Sequence, residues 1–365
     1  MYHTNMTTQN VKLLGRTHQT EDALWLIMSG SGIEFTFTGK RLEITLCGRE
    51  AASLSNNRDN YARIAIYIND IRTIDDSINC REKTYSLLDA PQIQTITVRL
   101  LKLSECAMSL CGIQDILTDE SGRLSPTPTK ARRIEIIGDS ITCGYGIDDE
   151  NFEHHFSTST EDVTKAYAYK TARALDADYS LFSISGYGII SGYTDDASVK
   201  HDDQRIPDYY PSSGFSRDTL TNGLKPEQIP WDFNRFRPDI VVINLGTNDD
   251  SYCGEEPKKQ QEFARAYERF LHMVRNNNPQ AAILCVLGVM GSRLYPLICE
   301  ACEHFKASTG EQRLYCQILP EQDGKVGYVA DYHPLECFHD DAAAVLVREI
   351  KKIMKWNEPP VSAPQ

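Results

Sequence analysis

The sequence predicts a two-domain protein in which an all-β sandwich precedes an α/β domain built on a parallel sheet. The chain has 365 residues, and a usual domain size of about 150 residues makes two domains the expected number. Apolar residues alternate with polar ones in the first third, whereas apolar strands alternate with helical periods in the rest. We therefore expect a sandwich domain at residues 1–125 and a second domain at residues 131–356.

The sandwich is predicted from four segments in which apolar residues occupy every second position. This period is typical of strands that bury one face. Gly, Asn and Asp, which favour turns, separate the segments. Short strands joined in this way favour an all-β sandwich. The predicted strands are Gly32–Gly39, Leu42–Leu46, Ala62–Asn69 and Gln94–Leu101.

The domain boundary is predicted in the polar segment between Asp119 and Arg132. It contains Pro126 and Pro128, and proline supplies no N–H to a helix interior or a central strand. The strand-type alternation of apolar residues ends before this segment, and the alternation of strands with helices begins after it. We therefore expect a linker here.

The second domain is predicted from strands that alternate with helices, which implies a parallel sheet with helices on both faces. We expect the last helix to begin with Asp340 as its N-cap. Two long irregular segments, 147–162 and 192–236, could carry specificity. The predicted strands are 133–137, 179–184, 239–245, 282–289 and 313–319, and the predicted helices are 164–175, 257–274, 296–307 and 340–356.

Composition excludes several classes of protein. Asp and Glu number 51 against 38 Lys and Arg, a net charge of −13, which disfavours nucleic acid and anionic membranes as partners. The longest apolar stretch, Ala281–Val289, is about half of what a membrane span needs. Eleven irregularly spaced cysteines indicate free thiols. With no export-signal pattern at the start, we predict a cytoplasmic protein, although a secreted chain that had lost its signal would look the same.

The candidate chemistry lies just after the predicted strands, because ligands of open parallel sheets bind at the carboxyl ends of the strands. Ser140 follows the first strand in the turn Gly138-Asp-Ser. Gly186 follows the second, with Gly188 as a competitor for the same role. Asn248 follows the third, and His333 stands near the last helix with Asp331 two residues before it.

These residue types are the ones that acyl transfer requires. A serine hydroxyl needs a base to take its proton, and N–H donors must face the developing oxyanion. His333 is the expected base for Ser140. The Asp331 carboxylate is the expected partner of the other imidazole nitrogen.

Four blocks, Gly138-Asp-Ser140, Gly186, Gly246-Thr-Asn248-Asp and His333-Pro, resemble in this order the catalytic blocks of the SGNH (GDSL-like) hydrolases. With a sandwich domain in front of them, the chain resembles carbohydrate esterase family 2, acetylxylan esterases with an N-terminal jelly roll. The resemblance implies a jelly-roll sandwich followed by a three-layer α/β domain of the SGNH type.

The resemblance also implies residue roles. Ser140 would be the nucleophile and His333 the general base. The N–H groups of Ser140 and Gly186 and the side-chain amide of Asn248 would form the oxyanion hole. One departure is the spacing of Asp331 and His333, since the wider superfamily usually has Asp-x-x-His. In some members a backbone carbonyl orients the histidine, so both arrangements stay open.

Other candidate residues have plainer interpretations. Cys299 and Cys302 have redox-like spacing inside a predicted helix, where packing is the expected role. His154, His155 and His201 lack the further ligands of a familiar metal site. His339 stands at the edge of the last helix, which favours a cap or dipole role. We therefore expect neither a metal nor another cofactor.

The predicted function is a serine esterase that removes O-acetyl groups from xylan-type or other plant cell-wall oligosaccharides. The acetylated oligosaccharide is the expected partner, and a homo-oligomer stays open. Two alternatives remain. The first is a carbohydrate-binding protein that acts through the N-terminal sandwich, and the second is a lipase or thioesterase of the same superfamily.

Overall fold

The computed structural model describes residues 2–3, 8–53, 60–149 and 151–356. The N-terminal domain is all-β, with one helical turn, α1 (Glu50–Ser53). All of its strand pairings are antiparallel. The described residues of this domain form ten strands: β1 (Tyr2–His3), β2 (Lys12–Leu14), β3 (Thr17–Gln19), β4 (Leu24–Leu26), β5 (Gly32–Gly48), β6 (Ala62–Ile68), β7 (Ile71–Ile78), β8 (Glu82–Lys102), β9 (Cys111–Thr118) and β10 (Arg123–Pro126).

Hydrogen bonds connect these strands in the order β3-β4-β9-β5-β8-β6-β7, with β1 on β9 and with β2 and β10 on β5. The first half of β5 pairs with β2 and β10, and its second half pairs with β9. Apolar residues from both halves, including Phe35, Phe37 and Ile44, share one buried core.

Two predicted strands, 32–39 and 42–46, are parts of the single strand β5. The pairing of β5 with β8 shifts register between Gly39 and Arg41, and such a bulge changes the register without reversing the chain. The Asp119 carboxylate accepts hydrogen bonds from the N–H groups of Lys40 and Arg41, at 2.6 and 2.7 Å. The bulge therefore keeps its backbone donors satisfied.

The C-terminal domain is an α/β unit with five parallel strands in the order β12-β11-β13-β14-β15. The predicted fold class is confirmed. The strands are β11 (Arg132–Gly138), β12 (Ala177–Ser183), β13 (Ile240–Asn244), β14 (Ala282–Val289) and β15 (Leu314–Glu321). The helices are α2 (Ser140–Cys143), α3 (Tyr167–Ala174), α4 (Ile206–Tyr209), α5 (Thr247–Cys253), α6 (Pro257–Asn277), α7 (Tyr295–Thr309) and α8 (Glu336–Met354).

Helices cover both faces of the sheet. This explains why the sequence of strand β14 is apolar throughout. Ile283 and Leu287 pack with residues of α6 and α7. Leu284 and Val286, which point the opposite way, pack with residues of α3 and α8. A strand buried on both faces loses the alternation of a half-exposed strand, so the domain has three layers.

The prediction for the last helix was wrong at its start. Helix α8 begins at Glu336, directly after Leu335, with no side-chain cap. Asp340 therefore lies inside the helix, where its carboxylate pairs with Lys170. Nothing between Pro334 and Asp340 breaks a helix, so the chain forms an additional turn ahead of the expected cap.

The two domains meet through a buried arginine of the first. The Arg16 guanidinium donates to the backbone oxygens of Tyr210 and Ser212, lies 3.4 Å from the Glu135 carboxylate and stacks over Phe182 at 4.3 Å. The first sheet ends at Pro126 and the second begins at Arg132; the boundary at 125 and 131 itself stays a prediction. In the part of the chain that the structure describes, no helix combines the length and the apolarity needed to cross a bilayer.

Candidate active site

The hydroxyl of Ser140 faces the imidazole of His333. Ser140 is the first residue of α2, two residues beyond the end of β11, so its side chain lies at the carboxyl edge of the sheet. Its Oγ lies 2.8 Å from Nε2 of His333, within the reach that a general base needs. The structure thus brings together two residues that are 193 positions apart.

His333 is oriented by backbone oxygens. Its Nδ1 lies 3.3 Å from the carbonyl oxygen of Ala330 and 3.2 Å from that of Asp331. A carbonyl oxygen only accepts hydrogen bonds, so Nδ1 carries the proton, and Nε2 is left to accept from the Ser140 hydroxyl.

Among the described residues, the Asp331 carboxylate forms no hydrogen bond with the imidazole, although the sequence predicted that bond. It accepts hydrogen bonds from the Tyr145 hydroxyl at 2.6 Å, the Phe156 N–H at 3.0 Å and the His155 Nδ1 at 3.1 Å. Asp331 has the left-handed backbone conformation, with φ of 50° and ψ of 39°. Only Tyr332 separates it from the histidine, and the Asp331 carbonyl of this tight turn reaches the ring in place of the carboxylate.

Tyr145 is a site residue that the sequence analysis missed. Its ring stacks on the imidazole of His333, with centroids 3.9 Å apart and planes 17° from parallel. Removal from water lowers the pKa of His333 to about 4, while the hydrogen bonds to Asp331 and Ala330 act in the opposite direction. The imidazole is therefore neutral at pH 7, the form that accepts a proton.

Asp139 connects the nucleophile turn with the third block. It caps α2, and its Oδ1 accepts from the Ile141 N–H at 3.1 Å. Its Oδ2 accepts from the side-chain amide of Asn248 at 3.3 Å. Burial raises the pKa of Asp139 to about 7, although the Ile141 hydrogen bond opposes the shift. The signal for this role was its place directly before Ser140, where aspartate favours an N-cap.

Gly186 and Asn248 lie on the loops that follow β12 and β13. Gly186 has φ of 80° with no neighbour where a side chain would begin, so glycine suits it conformationally. No described residue accepts a hydrogen bond from its N–H. The Asn248 amide donates to the Tyr187 carbonyl oxygen at 2.9 Å. That bond ties Asn248 to the loop that carries Gly186.

Asp249 is a second residue whose role the sequence analysis missed. It holds the loop that follows Gly186 through hydrogen bonds. The buried carboxylate accepts from the N–H groups of Ile189 at 2.9 Å, Ile190 at 2.6 Å and Ser191 at 3.2 Å. A side chain at Gly188 would approach within 2.6 Å of the same carboxylate. Gly188 is therefore needed for close packing, whereas Gly186 has open space in front of it.

The remaining candidates lie elsewhere. His339 is buried, and its Nδ1 accepts from the Tyr167 N–H at 3.2 Å. Cys299 and Cys302 lie on α7, as the sequence predicted. Among the described residues, the one group with the spacing of metal ligands is Glu105, Cys143 and Glu161, which the sequence analysis did not single out.

Each of the two domains matches a known protein family. Residues 136–301 match the GDSL-like Lipase/Acylhydrolase family. Residues 13–128 match the carbohydrate esterase 2 N-terminal family. The chain therefore combines a carbohydrate esterase 2 N-terminal domain with a GDSL-like lipase/acylhydrolase domain, as the sequence predicted.

Individual relatives support the same family. The chain is 31% identical to the cellulase/esterase CelE of Acetivibrio thermocellus over 337 residues, which cover 89% of this chain but 38% of that relative. It is 25% identical to an acetylxylan esterase / glucomannan deacetylase of Cellvibrio japonicus, over 95% of this chain and 90% of the relative.

Solved structures extend the match to three dimensions. A family two carbohydrate esterase from Clostridium thermocellum, in complex with cellohexaose, has a TM-score of 0.80 at 27% identity, covering 95% of this chain and 99% of the other. The acetyl xylan esterase Est2A of Butyrivibrio proteoclasticus has a TM-score of 0.86 at 24% identity, covering 98% and 99%. The second similarity concerns the fold alone.

Proposed function

We propose that this chain is a serine esterase that removes O-acetyl groups from plant cell-wall oligosaccharides of the xylan or glucomannan type. The observation that carries the proposal is the distance of 2.8 Å between Ser140 Oγ and His333 Nε2. The names of the relatives, acetylxylan esterase and glucomannan deacetylase among them, support the choice of an acetyl ester on a sugar.

In the first half of the reaction, Ser140 Oγ attacks the acetyl carbonyl carbon while His333 Nε2 takes the hydroxyl proton. The resulting imidazolium is stabilised by the backbone oxygens of Ala330 and Asp331 on its other nitrogen. Collapse of the tetrahedral intermediate breaks the ester bond. The sugar oxygen leaves with the proton from Nε2, and an acetyl-enzyme remains.

In the second half, water attacks the acetyl-enzyme. His333 takes the proton of the water and returns it to Ser140 as acetate leaves, so ester and water become alcohol and acid. We assign the oxyanion hole to the N–H groups of Ser140 and Gly186 and the side-chain amide of Asn248. The Asn248 amide would exchange its long contact with Asp139, 3.3 Å, for the oxyanion and keep its hydrogen bond to Tyr187. Fixed donors of this kind stabilise the charge that develops on the carbonyl oxygen.

The surroundings of the site favour a sugar over a long acyl chain. Tyr332 and Tyr193 are 56% and 54% exposed, and rings of this kind offer an apolar face together with a hydrogen-bonding edge. Tyr332 adjoins His333 in the chain. The loop at 192–236 also contributes many Asp, Ser and Tyr residues. A long acyl chain would need an extended apolar cleft instead.

The test is release of acetate from acetylated xylan and acetylated glucomannan, alongside a long-chain p-nitrophenyl ester. The wild-type chain should release acetate from a polysaccharide, and Ser140→Ala should abolish the release while circular dichroism stays unchanged. Ser159→Ala, at an exposed serine of a nearby loop, is the matched control and should retain full activity. Full activity in Ser140→Ala would refute the mechanism, and a preference for the long-chain ester would favour the lipase alternative.

Glycan binding is a second candidate function, favoured by the cellohexaose complex of the similar Clostridium thermocellum enzyme. Titration of full-length Ser140→Ala with cellohexaose and with acetylated xylo-oligosaccharides measures binding without turnover. Binding with no acetate release by the wild type would favour this candidate over the esterase.

We also propose that the chain works in a reducing compartment such as the cytoplasm. All eleven cysteines are free thiols, and ten of them are buried or only partly exposed. Quantifying thiols in the protein purified from its own cells under acid-quenched conditions tests this, and fewer than eleven free thiols would count against it.

A further inference from the structure

Glu105 is a residue of the N-terminal domain that lies next to the candidate oxyanion hole. It lies in the connection between β8 and β9 and is fully buried. Its Oε2 accepts a hydrogen bond from the backbone N–H of Ser185 at 2.9 Å. Ser185 directly precedes Gly186, whose N–H is assigned to the oxyanion hole. A carboxylate of one domain thus holds the catalytic loop of the other.

A second buried carboxylate meets Glu105 there. The backbone N–H of Glu105 donates to Oε2 of Glu161 at 2.7 Å, and Glu161 belongs to the connection between α2 and α3. A carboxylate oxygen of each residue and the Cys143 sulfur all lie within 4.8 Å of one another. Cys143 ends α2, the helix that Ser140 begins. The cluster therefore touches the nucleophile helix and the Gly186 loop together.

The charges in this cluster are balanced by protons. Oε1 of Glu105 and Oε1 of Glu161 have no hydrogen-bond partner among the described residues. The nearby Lys102 ammonium donates to the backbone oxygens of Ser104 and Glu105, at 2.6 Å each, and not to the carboxylates. Burial raises the pKa of both glutamates, and their mutual repulsion raises that of Glu161 further. Two buried carboxylates so close together retain a proton.

We propose that Glu105 is a positioning residue for the oxyanion hole, so that the N-terminal domain forms part of the catalytic site. This inference rests on the proposed esterase function. The hydrogen bond from Ser185 fixes the peptide that precedes the Gly186 N–H, and it sets the direction in which that donor points. A donor displaced by about 1 Å can cost roughly 100-fold in rate.

The test compares three variants of the full chain. Glu105→Ala removes the acceptor of the Ser185 N–H, and kcat should fall roughly 10- to 100-fold while KM changes less than about 2-fold. Glu105→Gln retains an oxygen acceptor and can donate to Glu161 as a protonated carboxyl would, so kcat should stay within about 5-fold of wild type. Asp218→Ala is the control. It removes a buried hydrogen bond between the domains, in which the Leu110 N–H donates to the Asp218 carboxylate at 3.4 Å. This bond does not involve the loop that carries Gly186.

Hydrogen exchange separates positioning from plain stability. The amides of residues 184–188 should exchange faster in Glu105→Ala, but at the wild-type rate in Glu105→Gln and Asp218→Ala. If Glu105→Ala does not fold, Glu105→Asp takes its place, because the shorter side chain withdraws the acceptor and retains a carboxyl group. In that case kcat should fall further in the Asp variant than in the Gln variant.

The inference would be overturned if Glu105→Ala, or Glu105→Asp in its place, kept the wild-type kcat. It would also be overturned if the amides of residues 184–188 exchanged at the wild-type rate in that variant. Equal losses of kcat in Glu105→Ala and Asp218→Ala would have the same consequence. A stoichiometric metal ion lost from Glu161→Gln would also overturn it, because the cluster would then be a metal site. If the wild type hydrolyses no acetyl ester, the proposed function fails, and the exchange rates alone decide whether Glu105 holds the loop.

Discussion

The imidazole Nδ1 of His333 lies 3.2 Å from the backbone carbonyl oxygen of Asp331. The carboxylate of the same aspartate is turned toward Tyr145 and its neighbours. The residue that the sequence offered as a triad acid thus contacts the histidine through its main chain, and a serine–histidine pair with backbone support remains.

Asp331→Asn should lower kcat/KM by less than about 10-fold, compared with the roughly 10⁴-fold loss typical when a triad aspartate that holds its histidine is replaced by asparagine. Asparagine tolerates the left-handed conformation that this position requires, so the carbonyl stays in place. Steady-state kinetics with an acetyl ester measure the effect. A loss near 10⁴-fold would mean that the carboxylate reaches the imidazole during the reaction.

Tyr145→Phe and Tyr145→Ala should separate two contributions of this side chain. Phenylalanine retains the ring stacked on His333 and loses only the hydrogen bond to Asp331, so kcat should fall less than about 5-fold. Alanine also removes the stack, an interaction of about 0.5–1.5 kcal/mol, and admits water to the imidazole. A further drop of about 10-fold is expected. Equal activities of the two variants would contradict a role for the ring.

The acid limb of the pH dependence of kcat/KM should lie near pH 4, because removal from water lowers the pKa of His333 to about 4. Only the neutral imidazole accepts the Ser140 proton, so activity should be high above the limb and fall below it. In Tyr145→Ala the limb should move up toward the ordinary histidine pKa of about 6.5. A wild-type limb near 6.5 would show that the imidazole is well solvated.

The same shift has a consequence for stability. His333 stays neutral in the folded chain between its ordinary pKa and the lowered one, whereas the unfolded chain takes up a proton there. The contribution of this group to folding is therefore complete above about pH 6.5 and is lost as the pH falls through about 4. Circular dichroism at each pH ensures that the kinetic limb is measured on folded protein.

Asp249→Ala should destabilise the fold by about 3 kcal/mol or more. It leaves the buried N–H groups of Ile189, Ile190 and Ser191 without their acceptor, and each unsatisfied buried donor costs about 1–3 kcal/mol. Urea denaturation measures the change. Asp250→Ala is the matched control, since its carboxylate pairs with the half-exposed Arg293; about 1 kcal/mol or less is expected. Equal losses in both variants would contradict the role assigned to Asp249.

Much of the fold could be predicted because hydrophobic periods report local structure directly. The strand Ala282–Val289 and the order of the two domains were predicted from such periods alone. The periods did not predict that two of the expected strands join into β5. A bulge whose N–H groups bond to the distant Asp119 stands where a turn was expected. The start of α8 was missed as well, since a helix without a side-chain cap carries no signal at its first residue.

The sequence by itself determined which residue types follow each strand of the parallel sheet, and it therefore named Ser140, Gly186, Asn248 and His333 as one group. Only the tertiary structure decided which other residues support this group. The Asp331 carbonyl and the Tyr145 ring contact His333, and Asp249 and Glu105 accept hydrogen bonds from the loop that carries Gly186. The physical reason is that strand order and hydrophobic period are local properties of the chain. Hydrogen bonds between side chains that are distant in sequence depend on how the loops and domains pack.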